Sequence, residues 1–500
     1  MNTKTPILIK QHPSALPVYL GTTVRQLDRI AIQEYGMSGY ALMQAAGQSL
    51  FKVLTQTWPN AKSLCIVCGV GNNAGDGYIV ARLAVQAGWQ TTVMALASLA
   101  DLSGDAAIAC QEYLAVQGHI QTFTGHLPEA DVLLDALLGT GLTRPVTGAY
   151  AAAIHAMNQH PAPILAADIP SGLHADTGQV CGDAVKAAAT LSFIGLKTGL
   201  FTGQARRYRG AVWLDDLCVP AAVYQGQKIA MHTLSGQNIT DKLPKRSPTA
   251  HKGQFGHCLF VGGAPGMSGA IRLAGEAALR TGAGLVSIAT HPEHAPYLNI
   301  ATPELMVHAV PSAAELRSLM ANRTVLAIGP GLGQNSWAHH LLTLALATEL
   351  PKVIDADALN SLACFPAKQD HWILTPHSGE AARLLACSVA DIENDRIKAV
   401  QQLQQNYGGV IVLKGADTLI ASAHGIACCI AGNPGMASGG MGDVLTGIIT
   451  ALLAQGLSLP DAACIGVQVH AQAGDKAAQK GERGLLASDL IQQIRAEVNP

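Results

Sequence analysis

The chain has 500 residues, of which 49% are hydrophobic and 13% charged, with a formal net charge of −2. Such a length overfills one ordinary core, so two domains are expected, and the Gly- and Ala-rich composition excludes a disordered chain. The near-zero charge gives no general electrostatic reason to bind nucleic acid or an anionic membrane, which leaves small molecules as the expected partners.

The first stretch, MNTKTPILIKQHPSALP, has an apolar run too short for a secretion signal, broken by Lys10 and His12. No apolar run approaches the roughly 18 residues of a membrane span. A cytoplasmic protein is therefore expected, and its eleven cysteines should be mostly buried thiols rather than a disulfide framework. Residues 24–57 place Val24, Leu27, Ala31, Leu42, Ala46 and Leu50 at helical spacing.

The texture then changes. Short apolar runs (SLCIVCG, TTVMAL, VLLDALLG, PILAADIP, AATLSFIG) alternate with Gly-rich turns and helical stretches, the rhythm of a parallel sheet with crossover helices. Cys65 and Cys68 form a formal C-x-x-C, but within a strand their side chains point to opposite faces. The polar stretch HTLSGQNITDKLPKRSPTAHKG, between Leu217 and Gly253, marks the boundary, giving domains 1–230 and 231–500. The second half repeats the rhythm in HCLFVGG, LVSIATH, TVLAIGPG, KVIDADAL, WILTPH, VIVLKGA and ACCIAG. The fold class is α/β, with two doubly wound domains. His291 and His294 lack a second ligand pair and read as surface loop.

Three strand ends of the first half carry polar side chains. CGVGNNAGDGYIVARLA, residues 68–84, leads a strand through glycines into a helix, where free N–H groups suit an anion. Gly69, Gly71 and Ala74 make only an imperfect G-x-G-x-x-G, which a ligand-free turn would also satisfy. Asn72, Asn73 and Asp76 argue for a ligand, because a turn alone needs no three hydrogen-bonding side chains. DALLGTGLTRP contributes Asp135, and ADIPSGLHADTG contributes Asp168, Pro170, Ser171 and Gly172. Asn73, Asp135 and Ser171 offer hard oxygen donors with one negative charge, suited to a non-transition cation, while Asp168 is a candidate proton carrier. In the second half, NPGMASGGMGDVLTGIITALLAQG delivers Asp443 from a glycine loop into an apolar helix. An anion hole beside a carboxylate suits phosphoryl transfer, although an ordinary capping aspartate would read the same. Beside the amides, Asp443 is expected to stay ionised.

GNNAGDGYIVARLA, DALLGTGL and DIPSGLHADTG resemble the signature of NAD(P)H-hydrate epimerases, Rossmann-like three-layer αβα domains, over most of residues 20–220. The resemblance implies that Asn72, Asn73, Ala74, Gly75 and Asp76, with Gly139, Thr140, Gly141, Leu142, Thr143, Arg144 and Pro145, hold the hydrated dinucleotide. Asp168 would contact its reacting end as a catalytic residue, and Asn73, Asp135 and Ser171 would bind potassium. Ala74 replaces a glycine of the family's loop, a strain if that position needs positive φ. The Gly-x-Gly-Asp loop resembles the ribokinase-like superfamily, whose domains are αβα. KGQFGHCLFVGGAPGMSGAIRLAGEAALRTGAGLV, IGPGLG, VIDADAL, LTPHSGEAARLL and VLKGADT narrow the match to ADP-dependent NAD(P)H-hydrate dehydratases. That implies nucleotide contacts at Lys414, Gly415, Ala416, Asp417, Thr418 and Gly442, and substrate contacts at Ala270, Gly331, His377 and the catalytic Asp443. Magnesium is expected with ADP, and a homo-oligomer is expected. Met441 stands where the family often has Thr. The implied activity is repair: epimerising R and S hydrated NADH or NADPH, then dehydrating the S form with ADP. A vitamin kinase with a fused regulatory domain would need no epimerase-like loop, and a non-enzymatic nucleotide sensor would bind without turnover.

Overall fold

β2 (Ser63–Cys68) is the pivot of the first sheet in the computed structural model, which describes residues 5–499, except the side chains of residues 237 and 238. Around it lie β1 (Ile7–Leu8), β3 (Gln90–Ala95), β4 (His119–Thr122), β5 (Val132–Ala136), β6 (Ile164–Ala167), β7 (Ala189–Phe193) and β8 (Ala211–Asp215). Their order is β1-β8-β7-β6-β5-β2-β3-β4, parallel except for β1. From β2 the chain winds one way through β3 and β4, and from β5 the other way through β6, β7 and β8. The switch point therefore lies between the C-terminal ends of β2 and β5, where open α/β sheets bind ligands. Alternation along β2 places Cys65 and Val67 in one core layer and Ile66 and Cys68 in the other. The two thiols diverge, and all eleven cysteines are free.

The second sheet is built from β9 (His257–Val261), β10 (Leu285–Thr290), β11 (Met306–Ala309), β12 (Val325–Ile328), β13 (Lys352–Ile354), β14 (Trp372–Leu374), β15 (Val410–Leu413), β16 (Leu419–Ser422) and β17 (Gly425–Cys428). Its order is β11-β10-β9-β12-β13-β14-β15-β16-β17, parallel through β15, followed by the antiparallel hairpin β16–β17, beyond which His232 and Thr233 of the strand Met231–Thr233 pair parallel to β17. This switch point lies between β9 and β12. The buried helix Met441–Ala454 packs on the helix Ser268–Thr281. Gly447 makes that approach possible, since a Cβ there would meet the Ala274 carbonyl oxygen at 2.1 Å.

The chain forms two compact units. One comprises the residues up to His12 with Pro17–Met231; the other comprises Pro13–Leu16 with the chain from His232 onward. In the second, the Leu16 N–H donates to Thr233 Oγ1 at 2.9 Å and the Thr233 N–H to the Leu16 carbonyl at 2.9 Å. The polar stretch read as a boundary is not bare linker, since it contains the helix Gln237–Lys242. The helical stretch at residues 24–57 is two helices, Gly21–Gln33 and Gly39–Thr57, separated by Gly36 at φ +69°.

Candidate active sites

In the first unit, the chain leaves β2 through Gly69 and Gly71 and enters the helix Asn72–Gln86. Asn72–Asp76 is thus helix rather than loop. Ala74 has no positive φ and is fully buried, so its replacement of glycine causes no strain. Ala74 packs in the core, and Gly75 faces Met43, whose sulfur would lie 2.4 Å from an added Cβ. Gly71 at the N-cap supplies no side-chain bond and its carbonyl takes the Ala74 N–H at 3.0 Å, so it is the Asn72 and Asn73 N–H groups that open the helix toward a ligand.

A cavity of about 840 Å³ opens there. Asn72, Asn73, Asp76, Gly139, Thr140, Gly141, Leu142, Thr143, Arg144 and Asp168 line it; Ala74, Gly75 and Pro145 do not. Beneath it lies a polar network centred on Leu138. Asn73 Nδ2 donates to the carbonyls of Leu138 (2.9 Å) and Ala167 (3.1 Å), and the Leu138 N–H donates to Ser171 Oγ (2.9 Å). Fully buried Asp135 accepts from the Ser171 N–H at 2.8 Å, Ser171 Oγ at 2.6 Å and the Leu137 N–H at 3.2 Å. Burial pushes its carboxyl up to about 6 against those hydrogen bonds. No ion pair reaches Asp135 among the described residues. Asp135 and Ser171 are therefore bonded to each other, and Asn73 is joined to them through Leu138, around a buried carboxylate that no ion pair among the described residues neutralises.

Two acidic or basic wall residues escaped the sequence reading. Asp168, at φ +67°, accepts from the Phe193 N–H at 3.1 Å and is ion-paired to Lys197 Nζ. Lys197 is fully buried and also donates to Ser192 Oγ and the Phe193 carbonyl, each at 3.0 Å. Burial lowers its pKa, opposed by Asp168, Asp28 and Asp76. Asp28, from the helix Gly21–Gln33, lines the same cavity, and burial plus the Asp168 charge raise its pKa. Burial, Asp168 and Asp28 hold Asp76 well above the usual carboxylate range. Three carboxyls thus share one ammonium, which favours keeping a proton among them. Lys197 stands alone in SFIGLKTG and Asp28 in an ordinary amphipathic helix; the one signal was a lysine inside an otherwise apolar run.

In the second unit, four strand ends and one helix converge. Lys414, after β15, donates to Asp355 at 2.8 Å and lies 3.7 Å from Glu380. Asp355, after β13, also accepts from Thr446 Oγ1 at 2.8 Å. Its pKa is lowered, as burial is outweighed by Lys414 and hydrogen bonds from Lys414, Thr375 and Thr446. A Cβ on Gly442 would lie 3.4 Å from Lys414 Nζ, so the helix Met441–Ala454 starts against that ammonium. Asp443, in its first turn, does not behave as expected from the helix terminus alone. Burial, then Asp355, push its carboxyl up to about 7, with Lys414 opposing and Asp357 and Glu380 adding. Burial, with the neighbouring carboxylates, works against the ionised form. Met441 buries its side chain in the core.

His377 caps the helix Ser378–Leu384, its Nδ1 accepting from the Gly379 N–H (2.9 Å) and the Glu380 N–H (3.3 Å), while its own N–H donates to Glu380 Oε2 (2.8 Å). Its side chain stays 54% exposed, with Nε2 3.4 Å from Glu380 Oε1. Burial lifts Glu380 to about 7. Gly331, at φ +57°, and Ala270 meet at the switch point, where a Cβ on Gly331 would lie 2.6 Å from the Met267 carbonyl oxygen and 3.3 Å from the Ala270 Cβ. The adjoining Gly333 N–H donates to Asp357 at 2.8 Å, joining this loop to the Asp443 cluster. Gly415 and Ala416 are exposed, Asp417 is buried at φ +67°, and Thr418 Oγ1 donates to the Gly415 carbonyl at 3.0 Å. Among the described residues no group of three or more His, Cys, Asp or Glu could hold a metal ion.

A doubly wound unit with a carboxylate-lined cavity, joined in one chain to a doubly wound unit with a lysine and a carboxylate at a helix N-terminus, defines a two-headed α/β enzyme. The model of the family described as NAD(P)H-hydrate dehydratase matches residues 258–496, and that of the YjeF-related protein N-terminus matches residues 39–199. The chain is 46% identical to the bifunctional NAD(P)H-hydrate repair enzyme Nnr of Coxiella burnetii, covering 97% of this chain and 99% of that protein. It is 45% identical to the enzyme of the same name from Escherichia coli K12, covering 98% and 96%. Among solved structures, a ribokinase-like superfamily protein of Enterococcus faecalis matches with 29% identity and a TM-score of 0.51, covering 54% of this chain and 96% of that one. The chain belongs to the family of bifunctional NAD(P)H-hydrate repair enzymes.

Proposed function

We propose that the first unit interconverts the R and S hydrates of NADH and NADPH and that the second removes water from the S form at the expense of ADP. The observation that carries this reading is full-length similarity to two-headed repair enzymes, combined with a separate acid–base centre in each unit. R and S hydrates differ in which ring face carries the hydroxyl, so interconverting them requires a bond at that carbon to break and re-form, with a proton moved to or from the hydroxyl oxygen as it does. Asp168 takes this role from the cavity wall, with Lys197 holding its carboxylate in place. The amides opening the helix Asn72–Gln86 and the backbone of residues 139–145 receive the dinucleotide's phosphates. Potassium at Asn73, Asp135 and Ser171 would supply the positive charge that keeps Asp135 ionised. Tied through Leu138, it would also hold the two strand ends in register.

In the second unit, Asp443 accepts the proton of the hydrate's ring hydroxyl, making that oxygen able to receive a phosphoryl group from ADP. Phosphorylation turns hydroxide, a poor leaving group, into phosphate, a good one, so a kinase-like site serves a dehydratase. Lys414 and the N–H groups of Gly442 and Asp443 stabilise the charge developing on the transferring phosphoryl. Magnesium brought with ADP would neutralise the phosphate oxygens. Residues 414–418 hold the nucleotide, while Ala270, Gly331 and His377 hold the hydrate. The test is to incubate the protein with mixed R and S hydrated NADH, with and without ADP, and follow the reduced-nicotinamide absorbance. The expected result is full recovery with ADP and none without. Binding without recovery would instead identify a sensor, and accumulation of a stable phosphorylated vitamin would identify a kinase.

A further inference from the structure

Arg396 lies outside every motif noted in the sequence, yet only 3% of its side chain is exposed. Its guanidinium is a four-way junction. Nη2 donates to the carbonyls of Leu413 (3.2 Å) and Lys414 (3.1 Å), the last residue of β15 and the first of the nucleotide segment. Nη1 donates to Ser378 Oγ (3.1 Å) and to Glu393 Oε1 (2.8 Å), and Ser378 Oγ in turn donates to Glu393. Ser378 is the residue after His377 and begins the helix that His377 caps. Gly415 sits directly on the guanidinium, where a Cβ would lie 2.6 Å from Nη2. A planar fork of donors fixed on two adjacent carbonyls and a hydroxyl sets geometry that a point charge cannot.

We infer that Arg396 is a positioning residue that makes the nucleotide and hydrate sites of the second unit act as one, by clamping the Lys414 backbone to the start of the His377 helix. The inference rests on the reading of this unit as an ADP-dependent dehydratase. Arg396 touches neither substrate; it acts through Lys414 and Ser378. Ordering residues 414–418 around ADP tightens the fork, the fork fixes Ser378, and His377 is thereby fixed for the hydrate. By linkage, the hydrate tightens ADP by the same factor.

The experiment uses the full-length protein, measuring dehydration over a grid of ADP and S-hydrate concentrations, with epimerisation in the same samples as the control for a folded chain. In the wild type each substrate lowers the KM of the other. Arg396→Gln raises the KM for ADP about tenfold, loses the mutual dependence, and changes kcat by less than about threefold, because the charged hydrogen bonds to the Leu413 and Lys414 carbonyls, where β15 passes into the nucleotide segment, are lost while Asp443 and Lys414 remain. Arg396→Lys restores the charge without the fork and stays defective. Ser378→Ala, cutting only the hydrate-side link, keeps the KM for ADP within about twofold yet loses the mutual dependence. A wild type without mutual dependence, or Arg396→Gln with wild-type constants, overturns the inference. Should Arg396→Gln fail to fold, unchanged coupling in Ser378→Ala overturns it equally. A wild type without any ADP-dependent dehydration overturns the functional reading and the inference with it, whereas an active, coupled wild type with unaffected variants overturns only the role of Arg396.

Discussion

Replacing Asp443 with asparagine should remove activity and add stability. Its carboxyl titrates near 7 in the folded protein against an ordinary 3.8, which corresponds to about 4 kcal/mol against the ionised form above pH 7. Relaxation of the neighbouring carboxylates brings the net effect to about 2 kcal/mol, or about 4–8 °C in the Tm of a unit this size. The sign follows from linkage: the folded state holds the proton up to about 7 and the unfolded state releases it near 3.8. The penalty is therefore complete above pH 7, fades as pH falls between those values, and is gone below the lower one. Asn keeps the shape without the charge, so Asp443→Asn should melt higher at pH 8 and no differently at pH 3. Dehydration should fall 10²–10⁴-fold, roughly the worth of a general base. In the wild type, kcat for dehydration should rise with pH through about 7, because the base works only when ionised, and this limb should vanish in the variant. The assay is ADP-dependent recovery of NADH from its S hydrate between pH 5 and 9, alongside thermal melts of both proteins. A variant that melts lower at pH 8, or one that dehydrates at near-normal rate, would refute the reasoning.

The remaining predictions concern both units. Asp135→Asn should weaken the dependence of epimerisation on potassium by at least about tenfold while dehydration stays unchanged; an unaltered potassium titration would remove Asp135 as a ligand. Lys197→Met leaves Asp28, Asp76 and Asp168 without their cation, so epimerisation should drop about 10²-fold or more and show a raised acid limb in its pH profile. A normal profile would mean that the ammonium is only structural. Gly447→Ala drives a methyl group onto the Ala274 carbonyl and should cost the second unit about 1–3 kcal/mol, read as a lowered melting transition with epimerisation intact. Separately expressed residues 1–231 and 232–500 should retain epimerase and dehydratase activity respectively, the second melting below its counterpart in the whole chain because Thr233 has lost Leu16. Equal melting temperatures would make that pairing unimportant.

The architecture could be read because parallel sheets write themselves plainly. Buried strands are short apolar runs, and ligand-bearing strand ends are glycines next to Asp, Asn or Ser, as in SLCIVCG-VGNN and DALLGTG. What escaped was whatever depends on a distant neighbour. Nothing local distinguishes Lys197 from any lysine, and its meaning arises from Asp168, 29 residues away. Asp28 and Arg396 lie in ordinary helical patterns whose burial only the packed sheet decides. The Asp443 motif announced the residue but not its acidity, which is fixed by its burial and by Asp355, Lys414, Asp357 and Glu380. Asn72–Asp76 read as loop because its glycines imply turns, yet Gly75 and Gly77 are there for close packing against Met43 and Ala136.

The pairing of Leu16 with Thr233 spans 217 residues and sets a schedule for biosynthesis. Residues 13–16 are made before the body of the first unit, but the strand they join, Met231–Thr233, is made only after it, and its own neighbour Cys428 comes nearly 200 residues later still. During translation, at about 5–20 residues per second, this short segment waits for tens of seconds with its backbone donors and acceptors turned to water or to chance partners. Closing so long a span costs only logarithmically more than closing a short one, so the delay is kinetic rather than thermodynamic. Four residues made ahead of the body of the first unit are thus seated only when the second is built.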